Sequence, residues 1–217
     1  MARLIESRLI DGPTGELECL IEAPEDAAPR ALAVVCHPHP LFGGTMHNKV
    51  VYRVARALRN SGYAVLRFNF RGVGQSAGRH NLGVGEVDDA RMAVDYLRGR
   101  YPDLPYTLAG FSFGSRVILN LGCLTRGAQR LIALGFPAKR DPVGILNQCT
   151  SPKVFIQSTH DEYGPPPEME ALYAQVAEPK RLIWVEAEDH FFAGGLDELE
   201  RQVRELDGGS SGPPLSS

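Results

Sequence analysis

The chain has 217 residues, enough for one domain with a substantial core. Its hydrophobic share of 43% and charged share of 23% are ordinary for a globular protein. A formal net charge of −3 provides neither the basic field that nucleic acid requires nor a polybasic face for a membrane. Composition therefore excludes nucleic acid and membrane as expected partners, and it specifies no oligomeric state.

The N-terminal residues and the cysteines predict a cytoplasmic protein. Met1–Arg8 carries charges where a signal peptide needs an apolar core of about 7–15 residues. No apolar run approaches the roughly 20 residues of a membrane span. Cys19, Cys36, Cys123 and Cys149 are widely separated, with no CxxC pair. Cys36 and Cys123 lie in apolar runs and are expected to be small buried hydrophobic residues rather than parts of a disulfide framework.

The first predicted elements form an antiparallel hairpin. Leu4–Ile10 and Glu16–Ile21 flank the turn Asp11–Gly15, which is rich in glycine and proline. After the hairpin, short apolar segments without clean alternation predict buried strands. These are Ala31–Cys36, Ala64–Phe70, Tyr106–Ala109, Leu131–Gly135, Val154–Ser158 and Leu182–Glu186.

Helical periodicity fills the intervals between these strands. The predicted helices cover Val50–Leu58, Val87–Leu97, Phe113–Leu124, about Pro167–Val176 and about Phe191–Leu206. Alternating strands and helices predict an α/β fold with a mostly parallel sheet and helices on both faces. Residues 1–207 are predicted to form this single domain. Residues 208–217 are rich in Gly, Ser and Pro and are expected to be a disordered tail.

The pattern G-x-S-x-G, typical of a nucleophilic serine, occurs at Ser112 and at Ser76. Such a serine needs a strand before it, a sharp turn, and a helix immediately after it. Ser112 follows an apolar strand and precedes a helical stripe. Ser76 is followed by glycines at positions 78, 83 and 85, which argue against an immediate helix. Context therefore favours Ser112, for which the alternative interpretation is a helix N-cap.

A serine nucleophile needs a histidine base and an acid that orients the base, in the chain order serine, acid, histidine. Asp161 follows the strand Val154–Ser158, and His190 lies before the last helix. Both lie at carboxyl ends of strands, where open α/β sheets assemble their sites. We therefore predict Ser112, Asp161 and His190 as a catalytic triad, with Glu162 as an alternative acid.

The oxyanion that forms during attack on a carbonyl group needs two N–H donors. One donor is expected at Phe113, directly after the nucleophile, and the other in the loop that begins at His37. Pro38 and Pro40 have no N–H and are excluded. His39 is the preferred second donor, and Leu41 is the alternative.

Residues 30–206 together resemble the α/β-hydrolase superfamily, in particular its small lidless branch related to dienelactone hydrolases. The matching segments are Cys-His-Pro at 36–38, Gly-Gly-Thr-Met-His-Asn-Lys at 43–49, Phe-Arg-Gly-Val-Gly-x-Ser at 70–76, Gly-Phe-Ser-Phe-Gly at 110–114, Asp-Glu at 161–162 and Asp-His-Phe-Phe at 189–192. The resemblance implies an eight-stranded sheet with one antiparallel strand near the N-terminus. Dienelactone hydrolases use a cysteine nucleophile, so the serine here does not imply their substrate. The short connection between Phe136 and Lys153 leaves no room for a lid domain.

Three other interpretations compete with a serine hydrolase. Gly72-Val73-Gly74-Gln75-Ser76-Ala77 fits a dinucleotide-binding motif, but the later glycines postpone the helix that this motif requires. His37, His39 and His47 suggest a metal site, but no HxxxH pattern or carboxylate cluster accompanies them. A non-catalytic hydrolase-like binding module would lack a member of the triad or the flanking glycines. Arg71 is expected to pair with Glu86, Asp88 or Asp89.

The sequence thus predicts an enzyme that hydrolyses a small-molecule carboxylic ester or related acyl substrate, without a cofactor or metal. Thioesters and amides are alternatives because they need the same groups. Six aromatic residues are candidates for the lining of the site mouth: Phe42, Phe111, Phe136, Tyr163, Phe191 and Phe192. Aromatic residues also dominate protein cores, so some of these six are expected to be core residues instead.

Overall fold

The computed structural model describes residues 3–25, 27–139 and 144–208. Eight strands form one sheet: β1 (Arg3–Gly12), β2 (Gly15–Pro24), β3 (Ala31–Cys36), β4 (Tyr63–Phe68), β5 (Tyr106–Phe111), β6 (Arg130–Leu134), β7 (Lys153–Ser158) and β8 (Lys180–Val185). The α-helices are α1 (Lys49–Asn60), α2 (Val84–Arg100), α3 (Phe113–Thr125), α4 (Pro166–Gln175) and α5 (Leu196–Gly208). The predicted disordered tail, apart from Gly208, lies outside the described residues.

The strand order across the sheet is β1-β2-β4-β3-β5-β6-β7-β8. Strands β3 to β8 are parallel, whereas β2 runs antiparallel to both β1 and β4. The predicted hairpin and the mostly parallel sheet are therefore confirmed, and β2 is the one antiparallel strand that the resemblance implied.

Two hydrophobic cores lie on opposite faces of the sheet. Apolar side chains of α2, α3 and α4 pack on one face, and those of α1 and α5 pack on the other. All residues of β3, β4 and β5 are buried. Coverage on both faces explains why these strands are apolar throughout rather than alternating.

Several predicted boundaries differ from the structure by a few residues, and local backbone geometry explains two of these differences. β4 ends at Phe68 because the N–H of Phe70 donates to Nε2 of His37 instead of to a neighbouring strand. The last helix begins at Leu196 rather than near Phe191. Phe192 has φ 57° and Gly194 has φ 75°, so this segment is a turn that a right-handed helix cannot include.

The cysteine prediction is wrong for one pair. Cys123 and Cys149 form a disulfide across 26 residues of sequence, with their Cα atoms 5.0 Å apart. The bond connects the end of α3 to the segment between β6 and β7. Only the packing of these distant segments brings the two thiols together, so no local spacing predicts the pairing. Cys19 and Cys36 are free and buried, as expected for Cys36.

The connection from β6 to β7 is short. Its described residues include a 3₁₀ turn at Gly144–Asn147, while residues 140–143 lie outside the description. The described part of the chain contains no lid domain. Among the same residues, no helix has the length and apolar character needed to cross a membrane.

Candidate active site

Ser112 lies on the sharp turn between β5 and α3. Its φ of 55° and ψ of −116° are unusual for a residue with a side chain. Its N–H donates to the carbonyl of Leu134 in β6 at 2.9 Å, and its carbonyl accepts from Oγ of Ser115 at 2.5 Å. A Cβ atom at Gly114 would overlap the carbonyl of Cys36, so glycine is required where α3 passes β3. This is the strand, turn and helix arrangement expected around a nucleophilic serine.

Ser76 has different surroundings in the loop between β4 and α2. Its Oγ donates to the carbonyl of Asn69 at 2.6 Å and accepts from the N–H of Glu18 at 3.0 Å. Both bonds are structural, because the first ties the loop to its own start after β4 and the second attaches the loop to β2. Helix α2 begins only at Val84, so this loop supplies no helix N-terminus for a nucleophile or for a dinucleotide pyrophosphate.

His190 and Asp161 form a buried pair at the carboxyl ends of β7 and β8. Nδ1 of His190 lies 2.8 Å from Oδ2 of Asp161, and the two side chains are 3% and 0% exposed. An ionised carboxylate only accepts, so Nδ1 donates and Nε2 remains available as a base. The ring of Phe111, the residue before Ser112, packs on the His190 ring with centroids 4.8 Å apart. This contact places the base beside the turn that carries Ser112.

Gln157 and Glu162 hold this pair in place. Nε2 of Gln157 donates to Oδ2 of Asp161 at 2.9 Å, and Oε1 of Gln157 accepts from the N–H of Phe136 at 2.9 Å. The carboxylate of Glu162 accepts from the N–H of His190 at 3.2 Å, so Glu162 supports the loop of the base while Asp161 contacts the imidazole. Sequence reasoning missed Gln157. Its position inside β7, four residues before Asp161, resembles that of any buried strand residue.

His37 fixes the loop that follows β3. Its Nδ1 donates to the carbonyl of Pro38 at 2.6 Å, and its Nε2 accepts from the N–H of Phe70 at 3.0 Å. Burial lowers the pKa of His37 to about 4, so the ring is neutral near pH 7. Both ring nitrogens therefore serve the backbone, and this histidine shapes the loop in place of the metal-binding role considered from sequence.

A ring contact brings the loop that carries His39 against the first residue of α3. Phe113 is the first residue of α3, so its N–H has no acceptor within the helix. The rings of Phe113 and His39 are 5.0 Å apart. The N–H of Leu41 donates to Nδ1 of His39 at 3.2 Å. Because this bond engages Leu41, the arrangement favours His39 over Leu41 as the second donor.

The six aromatic residues considered for the mouth divide into two groups. Phe111, Phe136 and Phe192 are buried, whereas Phe42, Tyr163 and Phe191 are 82%, 39% and 38% exposed. The exposed rings of Tyr163 and Phe191 contact the His190 ring at 4.7 and 5.4 Å. Three of the six residues thus belong to the core, whereas the other three are exposed, and the Phe42 ring contacts the His39 ring at 4.7 Å.

Arg71 pairs with Asp89, one of its three expected partners. The guanidinium and the backbone N–H of Arg71 both bond the Asp89 carboxylate, at distances between 2.7 and 3.1 Å. Asp89 is fully buried in α2. The pair therefore anchors the loop after β4 to α2.

Comparison with known proteins identifies relatives over most of the chain. The family described as "Serine aminopeptidase, S33" matches residues 27–143, more than half of the chain. An uncharacterised protein of Rickettsia prowazekii is 33% identical in an alignment 205 residues long, and the match covers 90% of this chain and 85% of the relative.

Two solved structures combine high similarity with nearly complete coverage. An α/β serine hydrolase homologue from Coxiella burnetii is 36% identical, with a TM-score of 0.87, over 93% of this chain and 96% of the other. An α/β serine hydrolase without a lid from Xanthomonas campestris is 34% identical, with a TM-score of 0.86, over 96% and 97%. Taken with the eight-stranded sheet and the turn at Ser112, these matches mean that the chain belongs to the α/β serine hydrolase family.

Proposed function

We propose that this protein hydrolyses small carboxylic esters through Ser112, His190 and Asp161. The observation that carries the proposal is the buried hydrogen bond between His190 and Asp161, packed against the residue that precedes Ser112. A histidine held in this way presents Nε2 as a general base, and the strained turn presents a serine hydroxyl beside it.

The proposed reaction proceeds through an acyl-enzyme. His190 takes the proton of Ser112 as Oγ bonds to the ester carbonyl carbon, and the N–H groups of Phe113 and His39 bind the resulting oxyanion. Collapse of this intermediate breaks the ester C–O bond, and His190 protonates the departing alcohol. Water, deprotonated by His190, then attacks the acyl group, which releases the carboxylic acid and restores Ser112. Asp161 stabilises the imidazolium that forms in each half of the reaction.

Features around the site support an apolar ester. The exposed rings of Tyr163 and Phe191 contact the His190 ring, and the exposed ring of Phe42 contacts the His39 ring. The described residues include no lid that would have to open for access. Amide hydrolysis is the second candidate, because the matching family is described as an aminopeptidase. Thioesters need the same catalytic groups and are the third comparison in the test.

A fluorophosphonate probe tests the nucleophile directly. We expect the folded protein to be labelled at Ser112, Ser112→Ala to abolish labelling, and the matched variant Ser76→Ala to retain it. Turnover of ester, thioester and amide substrates with the same acyl group then ranks the three classes. Absence of labelling in folded protein would favour a non-catalytic binding module, and labelling at Ser76 would show that the nucleophile assignment is wrong.

A further inference from the structure

The outer edge of β1 is an unpaired strand edge with exposed aliphatic side chains. Among the described strands, β1 lies at one end of the order and pairs with β2 alone. Leu4, Ile5 and Leu9 are 46%, 44% and 45% exposed. An edge strand of ten residues with such side chains is a template for pairing with another chain.

The sequence of β1 is complementary to itself. From Leu4 to Ile10 it reads Leu-Ile-Glu-Ser-Arg-Leu-Ile, with two aliphatic residues at each end and opposite charges on either side of Ser7. In an antiparallel pair of two copies with a two-fold axis at Ser7, residues whose numbers add to 14 face each other. Glu6 then faces Arg8 of the second copy, and Arg8 faces its Glu6.

The aliphatic residues match in the same register. Ile5 faces Leu9 of the second copy, and Leu9 faces its Ile5, so four half-exposed side chains meet on one face around the axis. Ile10 belongs to the other face, where it is buried in the core beneath α2 and α3. The register therefore brings together Ile5 and Leu9, which the single chain leaves exposed, and it places Leu4 opposite Ile10 of the second copy.

The charged residues are also placed for this pairing. Within one chain, the Glu6 carboxylate accepts from Arg100 at 2.6 Å and from Arg8 at 3.2 Å. The Arg8 side chain is 56% exposed, so it can reach a carboxylate across the edge. Both symmetry-related pairs join opposite charges, and no like charges face each other between Leu4 and Ile10.

We propose that this protein forms a symmetric dimer through β1, in which the two eight-stranded sheets become one continuous sheet. Strand pairing with four aliphatic side chains buries less area than a standard stable interface, so the dimer should be weak and depend on concentration. The residues of the candidate site follow β5, β7 and β8. In the strand order, β2, β4 and β3 lie between β1 and these strands. Both sites therefore remain open in the dimer.

Sedimentation velocity of the full chain over a range of concentrations tests this proposal. We expect the average mass to rise from one chain towards two. Ile5→Lys and Leu9→Glu should each weaken self-association about tenfold or more, because each loses both symmetry-related pairs. An equimolar mixture of the two variants should associate again. In that mixture the introduced lysine of one chain faces the introduced glutamate of the other, while Leu9 of the first faces Ile5 of the second.

Two further variants distinguish pairing in this register from a general effect of adding charge to the protein surface. Arg8→Glu should also weaken association, because it places carboxylates opposite Glu6 at both pairs. Leu124→Lys changes an aliphatic residue on α3 that is 67% exposed and takes no part in the proposed strand pairing, and this variant should associate like the unchanged chain. Circular dichroism confirms that each variant is folded. A protein that remains monomeric at every concentration, variants that all associate normally, or a mixture that stays monomeric would each overturn the proposal.

Discussion

Ser112 presents its hydroxyl from a turn in which its own backbone φ and ψ angles are unfavourable. Residues with a side chain and a conformation outside the favoured regions cost about 1–3 kcal/mol, and such strain concentrates at functional sites. Here the turn is imposed from outside, because the Ser112 N–H is bonded to β6 and Gly114 lies against β3. The surrounding sheet therefore holds the hydroxyl in place at the expense of stability.

This strain predicts a difference between two inactive variants. Ser112→Gly and Ser112→Ala both remove the hydroxyl, but only glycine adopts φ 55° without a steric cost. Glycine relieves the backbone strain, but its greater conformational entropy in the unfolded chain offsets part of this gain. We therefore expect Ser112→Gly to be more stable than Ser112→Ala by about 1 kcal/mol. Urea unfolding monitored by circular dichroism measures the difference. If Ser112→Ala were instead the more stable variant by about 0.4–1 kcal/mol, which is the difference expected from the entropy of glycine alone, the turn would carry no strain.

At the scale of elements, the ion pair of Arg71 and Asp89 connects the loop after β4 to α2. Removing one member of a buried pair leaves an uncompensated charge, which costs about 3–5 kcal/mol. We expect Arg71→Ala to lower the free energy of unfolding by this amount because Asp89 is fully buried.

The matched control for this prediction lies on the same helix. Arg91 pairs with Asp88 at 2.7 Å, and both side chains are about half exposed. Exposed pairs contribute about 0–1 kcal/mol, so Arg91→Ala should change stability little. Similar losses in Arg71→Ala and Arg91→Ala, measured by urea unfolding, would contradict the structural role of the buried pair.

The disulfide is a second link between elements. Cys123 lies near the end of α3, the helix that begins at the candidate nucleophile, and Cys149 lies after β6. Closing a loop across 26 residues stabilises a chain by about 3–4 kcal/mol on the chain-entropy model. We expect a reducing agent to lower the melting temperature of the unchanged protein.

Because the two free cysteines are unreactive, the change in melting temperature can be assigned to the disulfide. Burial raises the pKa of Cys19 to about 12 and also raises the pKa of Cys36, so both remain unreactive thiols. Cys149→Ser should therefore melt at the lower temperature with or without reductant. A further shift of that variant on reduction, or no shift of the unchanged protein, would contradict the assignment.

Across the whole molecule, the strands and candidate site residues that the sequence predicts are those marked by a pattern in the residues next to them. Strands β3 to β8 are apolar segments between turns, and the Ser112 motif lies between a strand and a helical stripe. The meeting of Asp161 and His190 can be predicted because parallel strands deliver their following loops to one edge of the sheet. The role of Gln157 and the pairing of Cys123 had no such signal, since both depend on how distant segments pack.

The stability of the whole protein should depend on pH through its buried histidine. His37 donates from Nδ1 and accepts at Nε2, and only the neutral ring can do both. Burial lowers its pKa from 6.5 to about 4 in the folded protein. Between these values the unfolded chain binds a proton that the folded chain does not, so acid favours unfolding. This contribution is fully present above pH 6.5 and is lost as the pH falls towards 4.

The shift of His37 corresponds to about 3 kcal/mol between roughly pH 7 and pH 4. His39, whose pKa burial also lowers, acts in the same direction, whereas the lowered pKa of Glu6 matters only below its ordinary value of 4.5. Urea unfolding across this range should show the loss, and His37→Gln, which cannot titrate, should show a smaller slope. An unchanged slope in that variant would mean that other groups control acid unfolding. Because His37 holds the loop of His39, turnover of the unchanged protein should also decline over this range.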